Sequence, residues 1–345
     1  MKALVYGGPG QRSWTDVPDP TITDPRDAVI RVDTVTICGT DLHILGGDVP
    51  AVQPGRILGH EAVGTVTEIG TGVAGLRPGD RVLASCISSC GVCQYCRRQS
   101  YGQCLGGGGW ILGHLVDGVQ AEYARIPFAD LSTYRLPATV SDEAAVLLAD
   151  ILPTSYEVGV LNGRVRPGDT VVVVGVGPIG LAAILTARLF SPSQIIAVDQ
   201  ADSRLQAAKQ FGADQAVQPE EALDVVRAAT GGLGADVVME AVGVPSTFEL
   251  CTTLVRAGGH VANIGVHGKP ATLHLEDLWI RNITITTGLV DTYSTPTLLT
   301  MLGAEQLDVG HMITHRFGLE EFMRAYDAFA EPARTGALKV VLSRN

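Results

Sequence analysis

The sequence lacks any apolar run long enough to cross a membrane, and its basic residues are too few to balance its acidic ones. No segment approaches the roughly 20 apolar residues that a transmembrane helix needs, so no membrane contact is expected. The 36 acidic and 25 basic residues give a formal net charge of −11. This charge argues against nucleic acid as a partner, because phosphate binding needs a basic surface. The start, MKALVYGGPG, lacks the apolar core of a signal peptide and predicts a first strand, so a cytoplasmic protein is expected.

The length of 345 residues favours two domains of about 100–200 residues each. Residues 1–135 contain short β-type runs separated by Gly, Pro and Asp, which predicts a mostly β region. From Thr170 onward, apolar strands such as VVVVG and IIAVD alternate with helices, which predicts a doubly wound parallel sheet. Ser141 is predicted to cap a helix over 143–151, with 153–163 continuing helically. Two further helices are expected near 296–307 and 319–329, before the final strand LKVVLS. We predict one α/β chain with a β-rich domain at 1–152 and 291–345 and a parallel-sheet domain at 153–290.

A glycine-rich turn follows the apolar strand at 171–174 and leads directly into an apolar helix. The turn is Gly175-Val176-Gly177-Pro178-Ile179-Gly180, which matches the dinucleotide pattern GxGxxG. Asp199 ends the next strand, where a carboxylate that binds ribose hydroxyls is expected. Such a carboxylate favours NAD, because it repels the 2′-phosphate of NADP at close range. Arg204 could instead pair with that phosphate, so NADP stays open as the less favoured cofactor. A solvated aspartate at a strand end is the alternative role for Asp199.

Four cysteines fall in a short loop at about 86–105, with the spacing C-x2-C-x2-C-x7-C. They are Cys90, Cys93, Cys96 and Cys104. Four thiolates can surround Zn²⁺ tetrahedrally and leave no ligand position open, so this spacing predicts a structural zinc site. An iron–sulfur cluster and a redox or disulfide-rich lobe are the alternatives. Cys86 and Cys251 match neither pattern and are expected to be small buried residues.

Four further potential zinc ligands lie far apart in the sequence. They are Cys38, His60, Glu61 and Asp150. Each alone has an ordinary explanation as a buried or solvated residue. The segment GHEAVGTVTEIGTGV, however, resembles the zinc signature GHE-x2-G-x5-G-x2-V of the medium-chain alcohol dehydrogenases at every fixed position. The stretches CGTDLH, RPGD-x-V and GVGPIG and the four-cysteine loop also occur in that family's order.

The resemblance implies a GroES-like catalytic domain followed by a Rossmann dinucleotide-binding domain, with two zinc ions per chain. By their positions, Cys38 and His60 match the first two ligands of a catalytic zinc. Asp150 matches the third ligand in the bacterial secondary-alcohol branch, and Glu61 matches an acid that coordinates the metal in some states. One thiolate, one imidazole and one carboxylate would balance Zn²⁺ and leave a fourth position open for substrate. Some members of that branch lack the four-cysteine lobe, which this chain keeps.

Further roles are implied by the same resemblance. Thr40 and His43 would carry the alcohol proton to solvent, because imidazole titrates near neutral pH. The alternatives are that Thr40 only packs and that His43 only caps a turn. Trp110 and Leu289 would line the substrate pocket together with Thr40. The nicotinamide half of the cofactor is expected to contact Thr154 and the ends of the later strands, at Val242, Ile264, Gly265, Val266, Gly288 and Leu289. Lys339 would contact the cofactor, with a solvated surface lysine as the alternative.

The expected activity is reversible hydride transfer between NAD and a small or medium alcohol, which gives a ketone or aldehyde. A polyol or other specialised zinc dehydrogenase would use the same chemistry. A zinc-free quinone reductase should lack the pair Cys38 and His60, and a non-catalytic zinc-stabilised binding module would leave Asp150 and Thr40 unexplained. The exposed edge strand expected at ITITTGLV could pair between subunits, so a homo-oligomer is expected, with a tetramer favoured over a dimer.

Overall fold

The computed structural model describes residues 1–344, which form two compact units. The first unit comprises Met1–Asp150 together with the chain from Asp291 onward, and the second is Ile151–Val290. The first boundary thus lies two residues before the predicted end at 152. Within residues 1–344, no helix is both long and apolar enough to cross a membrane.

The first unit begins with a β-rich segment. Its strands are β1 (Lys2–Gly8), β2 (Gln11–Asp16), β3 (Ala28–Thr36), β4 (Ala62–Ile69), β5 (Arg81–Ala84), β6 (Tyr123–Ile126) and β7 (Thr133–Arg135). Its helices are α1 (Gly39–Gly46), α2 (Ala129–Ser132) and α3 (Asp142–Val146), with 3₁₀ turns at Cys96–Arg98 and Tyr101–Gln103. The four-cysteine loop therefore consists mainly of turns, as expected for a segment in which metal ligands replace an apolar core.

The second unit alternates strands and helices. Its strands are β8 (Thr170–Val174), β9 (Gln194–Val198), β10 (Gln215–Val217), β11 (Ala235–Glu240), β12 (Val255–Asn263) and β13 (Thr284–Thr287). Its helices are α4 (Ile151–Thr154), α5 (Pro178–Ala187), α6 (Asp202–Gln210), α7 (Ala222–Ala229), α8 (Pro245–Leu254) and α9 (Leu275–Leu278), with a π-helix at Ser155–Leu161 and a 3₁₀ turn at Arg188–Phe190.

The chain then completes the first unit. This return segment contains α10 (Thr295–Gly303), β14 (Ile313–Gly318), α11 (Phe322–Ala330), α12 (Pro332–Thr335) and β15 (Lys339–Ser343), with 3₁₀ turns at Gly310–Met312 and Leu319–Glu321. The predicted helices near 296–307 and 319–329 are thus shorter or shifted, since α10 ends at Gly303 and a 3₁₀ turn precedes α11.

The second unit is built on one parallel sheet with the strand order β10-β9-β8-β11-β12-β13. In order along the chain this is 3-2-1-4-5-6, the arrangement of a Rossmann fold, which confirms the predicted class. All residues of β8 are buried, because helices cover both faces of a central parallel strand. The carboxyl ends of these strands share one edge of the sheet, where dinucleotides bind.

The first unit's main sheet has the order β14-β15-β3-β4-β5-β7, and β6 also pairs with β3. Strands β3 and β4 are antiparallel, with Val35 opposite Ala62. The chain leaves β3 toward Cys38 and enters β4 from His60, so these two residues lie at the same end of the ladder. Strand β15 pairs antiparallel with the other edge of β3, and this brings Lys339 to that end as well.

The helix predicted at 143–151 is interrupted before its last turn. Ser141 caps α3 as predicted, since its hydroxyl accepts the N–H of Ala144 at 3.3 Å. The helix ends at Val146, however, and a turn follows. The carbonyl of Ala149 accepts a hydrogen bond from the Cys86 N–H at 3.1 Å instead of completing a helical turn. A tertiary contact thus overrides helix propensity just before Asp150.

Candidate active site

Three side chains from distant parts of the first unit converge beyond the ends of β3 and β4. Cys38 precedes α1, His60 precedes β4, and Asp150 lies between α3 and α4. The carboxylate Oδ2 of Asp150 lies 3.5 Å from the Cys38 sulfur and 3.3 Å from His60 Nε2. Among residues 1–344, these three residues form a group whose ligand atoms all lie within 4.8 Å of one another. The geometry therefore brings together the three ligands that the family resemblance implied.

The spacing and the chemistry of this group fit zinc. Ligand atoms arranged tetrahedrally around Zn²⁺ are about 3.4–3.8 Å apart, given its usual bond lengths. The distances from Asp150 to Cys38 and His60 fall at or near this range. Burial raises the pKa of the Cys38 thiol, and the negative charges of Asp150 and Glu61 raise it further. Burial alone would lower the pKa of His60, but hydrogen bonds to Asp150 and Cys38 raise it well above its usual value. The nearby negative charges, which contribute to the raised pKa of Cys38, would also stabilise a divalent cation.

Helix α1 is fixed to this group at its first turn. Asp41 accepts the backbone N–H of Cys38 at 2.9 Å and also receives the side-chain amide of Gln120 at 2.9 Å. Gln120 in turn accepts the hydroxyl of Tyr326, from α11, at 2.7 Å. All three side chains are fully buried. The sequence analysis missed this chain of hydrogen bonds, although the aspartate within CGTDLH was its one available signal.

Thr40 and His43 occupy different environments along α1. The Thr40 hydroxyl lies 3.6 Å from the Cys38 sulfur, next to the converging group. The imidazole of His43 is about half exposed, and its Nδ1 lies 2.9 Å from the carboxylate of Asp48. A hydroxyl at the buried group and an imidazole at the surface are thus three residues apart on one helix. Asp48 is a partner that the sequence analysis did not identify.

Trp110 lies beside a predicted zinc ligand. Its ring meets the His60 ring edge-on, with the centroids 6.3 Å apart. The other side of Trp110 stacks on His114 with centroids 4.2 Å apart, and His114 Nδ1 lies 3.0 Å from the Trp110 carbonyl oxygen. His114 matched no motif, because stacking partners leave no signature in a single sequence.

Glu61 and Lys339 form a buried ion pair with each other. Among residues 1–344, Glu61 is not part of the converging group, because both of its oxygens accept hydrogen bonds from the Lys339 ammonium, at 2.6 and 3.0 Å. Lys339 also donates to the carbonyl of Ile37 at 3.2 Å, and only 1% of its surface is exposed. The alternative of a solvated lysine was wrong. The expected contact of Lys339 with the cofactor stays a prediction.

The four-cysteine loop forms a second candidate metal centre. The sulfur atoms of Cys90, Cys93, Cys96 and Cys104 all lie within 4.8 Å of one another, and those of Cys90 and Cys96 are 3.9 Å apart. These cysteines are free, which contradicts the disulfide alternative. A multi-iron cluster spreads its cysteines over different irons, so this close spacing favours a single tetrahedral ion. Zinc remains our interpretation of the site.

Backbone amides point at the sulfur atoms of this loop. The Cys93 sulfur accepts the N–H groups of Cys96 and Leu105, both at 3.4 Å. These two bonds lower the pKa of Cys93 to about 6. Burial instead raises the pKa of Cys96 to about 12. Burial would raise the pKa of Cys90, but hydrogen bonds from the backbone N–H groups of Val92 and Cys93 help to lower it. The loop thus already stabilises thiolate on two of its four sulfurs.

The glycine-rich turn of the second unit has the geometry that a dinucleotide requires. Gly175 adopts a positive φ of 87°, and a Cβ there would lie 2.2 Å from a methyl group of Val242. A Cβ on Gly180 would lie 1.9 Å from the Gly175 carbonyl oxygen, so α5 packs closely on the turn only with glycine present. Gly177 caps α5, and Pro178 occupies its first turn. The free N–H groups at this helix end suit phosphate oxygens.

Asp199 is held beside this turn. Its two oxygens accept the N–H groups of Val176 and Ala201, each at 2.9 Å. A guanidinium nitrogen of Arg204 lies 3.8 Å from the same carboxylate. The carboxylate is therefore oriented by the backbone of the glycine-rich turn, and a cation lies close to it.

The other predicted cofactor residues lie in the second unit, mostly after the strands β11, β12 and β13, which follow one another on one side of β8 in the sheet. Val242 follows β11, Ile264, Gly265 and Val266 follow β12, Gly288 and Leu289 follow β13, and Thr154 ends α4. Val242, Val266 and Leu289 are exposed. Exposed apolar side chains at the carboxyl ends of parallel strands are available for contact with a ligand.

Comparison with known proteins gives matches along the whole chain. Residues 24–138 match the model of the alcohol dehydrogenase GroES-like domain, and residues 178–303 match that of the zinc-binding dehydrogenases. An alcohol dehydrogenase of Cupriavidus necator is 36% identical, over 99% of this chain and 98% of its own length. Zinc-dependent alcohol dehydrogenase 2 of Streptococcus pneumoniae has a structure that is 48% identical, with a TM-score of 0.96 over 100% of this chain and 99% of its own.

Two further solved structures contain a nicotinamide cofactor. One, an alcohol dehydrogenase from Escherichia coli CFT073 in complex with NADH, is 27% identical, with a TM-score of 0.89 over 99% of both chains. The other, a zinc-binding dehydrogenase from Sinorhizobium meliloti 1021, is bound to NADP and is 29% identical, with a TM-score of 0.85 over 99% of this chain and 98% of its own. Proteins of this similarity thus include binders of either cofactor.

Proposed function

Since this chain belongs to the zinc-dependent medium-chain alcohol dehydrogenase family, we propose that it transfers a hydride reversibly between NAD and a small or medium alcohol, preferably secondary or hydrophobic. The convergence of Cys38, His60 and Asp150 is the observation that carries the proposal. Zinc held by these side chains would supply Lewis acidity toward the substrate oxygen, and bound nicotinamide would accept or supply the hydride. A second zinc at the four-cysteine loop would have a structural role.

Thr40 and His43 form the proposed route for the alcohol proton. The Thr40 hydroxyl adjoins the Cys38 sulfur, so it can accept the proton from an alcohol bound at the converging group while its own proton moves on. Thr40 and His43 are three residues apart in α1, a separation that puts side chains on the same helix face. The half-exposed imidazole can pass the proton to solvent, and its Nδ1 lies 2.9 Å from the carboxylate of Asp48.

The cofactor preference rests on Asp199. Backbone N–H groups orient its two oxygens, and each oxygen retains a lone pair that can accept a ribose hydroxyl. The same carboxylate would repel a 2′-phosphate, which favours NAD over NADP. Arg204 partly offsets that repulsion, so discrimination should be incomplete.

Asp199→Gly tests this preference. We expect the KM for NAD to rise by about 10-fold or more, since the variant loses the hydrogen bonds that the ribose hydroxyls donate to a charged acceptor. The KM for NADP should change little or fall, because the repulsion is removed. Asp202→Ala, which alters an exposed carboxylate on the next helix, is the matched control. An equal rise for both cofactors would contradict the assignment.

The proposed substrate class rests on Trp110. Its indole borders His60 and offers an apolar surface next to the converging group. Such a surface favours the burial of an alkyl or aryl substituent, whereas a polyol would leave hydroxyl groups without partners there.

A panel of primary, secondary, aromatic and polyol alcohols, assayed with NAD and with NADP, tests the proposed function. We expect the highest kcat/KM for a secondary or hydrophobic alcohol with NAD. A preference for polyols would contradict the substrate class and leave the zinc chemistry intact. Activity that persists undiminished in Cys38→Ser would contradict the assignment of the catalytic group itself.

We also propose that the protein is a homo-oligomer, a tetramer in preference to a dimer. Strand β13 lies at an edge of the second unit's sheet in the part of the chain that the structure describes, and an edge strand can pair with another copy. Trp279 and Ile280, which precede it, are exposed by 73% and 67%. Light scattering during size-exclusion chromatography should give the mass of four chains, and a monomer mass would contradict the proposal.

A further inference from the structure

A single buried lysine connects the two strand ends that carry Cys38 and His60. The Lys339 ammonium donates to the carbonyl of Ile37, the residue before Cys38. It also donates to both carboxylate oxygens of Glu61, the residue after His60. Strand β15 brings it there from the end of the chain, next to β3. The lysine thus contacts the immediate neighbours of two proposed ligands without joining the converging group.

The ion pair between Lys339 and Glu61 is almost fully shielded from water. The two side chains are 1% and 0% exposed. Removing one partner of such a pair leaves an uncompensated buried charge, which is strongly unfavourable. Glu61 without Lys339 would therefore need another cation. A metal ion at Cys38, His60 and Asp150 is such a cation, because Glu61 directly follows one of these ligands and its charge already acts on the Cys38 sulfur.

We propose that Lys339 is a positioning residue that holds Glu61 away from the metal and so keeps the fourth ligand position free for substrate. This inference rests on the metal assignment within the proposed function. With Lys339 present, the ion pair is neutral, and the three ligands alone balance a divalent ion. Without Lys339, Glu61 becomes a fourth protein ligand and blocks the position that substrate needs.

A purely structural role for Lys339 makes different predictions. If the lysine only joins two strand ends, its loss should weaken metal binding, whatever residue stands at position 61. If it restrains Glu61, its loss should alter the metal's coordination only while the carboxylate is present. The two roles are therefore separated by combining Lys339→Met with Glu61→Gln in a double-mutant cycle.

The experiment uses the full chain loaded with cobalt(II), whose visible spectrum reports coordination geometry. Subtracting the spectrum of Cys38→Ser, loaded in the same way, removes the contribution of the four-cysteine loop. We expect Lys339→Met to shift the visible bands, because the Glu61 carboxylate then replaces water as the fourth ligand of the cobalt ion. The double variant should return to the wild-type spectrum. Lys269→Met, at an exposed lysine, is the matched control and should change nothing.

Competition with a chelator gives a second measurement, which does not depend on the folding of Lys339→Met. Glu61→Gln should weaken cobalt binding about 10- to 100-fold, as loss of an outer partner of a metal site typically does, because an unpaired ammonium remains nearby. The double variant should recover most of that loss.

An unchanged spectrum in Lys339→Met, a spectral change that persists in the double variant, or affinity losses that simply add would each overturn the inference. These results would leave the proposed function intact. If wild-type protein gave no spectrum that depends on Cys38, the metal assignment would fail, and both proposals with it.

Discussion

The first unit contains two groups of candidate metal ligands, and they are assembled differently. Cys90 and Cys104, the outer members of one group, are 14 residues apart in a loop of turns. Cys38 and Asp150, in the other group, are 112 residues apart and meet only because the sheet is formed. The first group could form as soon as its loop closes around an ion, whereas the second requires the folded unit.

The sulfur atoms of the two groups also lie in different surroundings, which shift their pKa values in opposite directions at Cys93 and Cys38. Backbone amides surround Cys93 and lower the pKa of its thiol to about 6. Cys38 instead is buried beside Asp150 and Glu61, and its pKa is raised. Four cysteines complete a tetrahedron, whereas one cysteine, one histidine and one aspartate leave a position open. These differences fit the proposal that the loop stabilises the fold and that the group assembled by the sheet carries out the chemistry.

The largest effect should come from Cys38→Ser. Serine has nearly the same shape but is a poor zinc ligand, so the Lewis acid is lost, and we expect kcat/KM to fall by on the order of 10⁴-fold. Metal analysis should show the loss of one zinc per chain, with the other retained at the four-cysteine loop. Cys86→Ser, at a buried cysteine outside both groups, is the control. Loss of both ions would remove the distinction between the groups.

Cys104→Ser should lower the stability of the protein and leave its turnover largely unchanged. Because binding of a structural ion contributes to folding, we expect the free energy of unfolding to fall by about 3–5 kcal/mol. The protein that remains folded should keep most of its kcat, which thermal unfolding and active-site titration can measure together. A fall in kcat as large as that of Cys38→Ser would show that the loop is part of the chemistry.

The contrast in assembly also explains what could be predicted from the sequence. The four-cysteine loop and the glycine-rich turn are local, so spacing alone indicated both. Asp150 has no local signature, and only the resemblance to a family singled it out. The register of β3 against β4, which brings Cys38 to His60, depends on the folded sheet.

Lys339 shows where sequence reasoning failed. A lysine at the start of a final strand usually reaches solvent, because burying an ammonium is costly. Here the cost is offset by Glu61, which lies 278 residues away in the sequence. Gln120, the partner of Asp41, is also distant in the sequence. His114, which stacks on Trp110, belongs to no motif. Ion pairs, stacking and buried hydrogen bonds between remote residues could not be predicted from one sequence.

Alkylation should distinguish the sulfur atoms directly once metal has been removed. At pH 7, Cys93 should react with iodoacetamide about 10- to 100-fold faster than Cys38, because its thiolate is already formed. Its rate should decline as pH falls through about 6, the pKa of its thiol. Cys38 should need a more alkaline pH, since its pKa is raised. Mass spectrometry of the labelled peptides measures both rates, and circular dichroism checks that the fold survives. Equal rates at the two cysteines would contradict the comparison.

His43→Ala should have the smallest effect of these four predictions. It concerns the release of a proton, which only the group of Cys38, His60 and Asp150 requires. The four-cysteine loop exchanges no proton with a substrate, whereas oxidation of an alcohol must release one. We expect turnover to fall about 10-fold, less than for a direct acid or base, because water can partly replace an exposed imidazole. The pH dependence of kcat should change, and added imidazole should restore part of the rate. His311→Ala, at an exposed histidine of the same unit, should leave the profile unchanged. If His43→Ala also left it unchanged, Thr40 would have to pass the proton directly to water, and the metal group would need no relay beyond the first turn of α1.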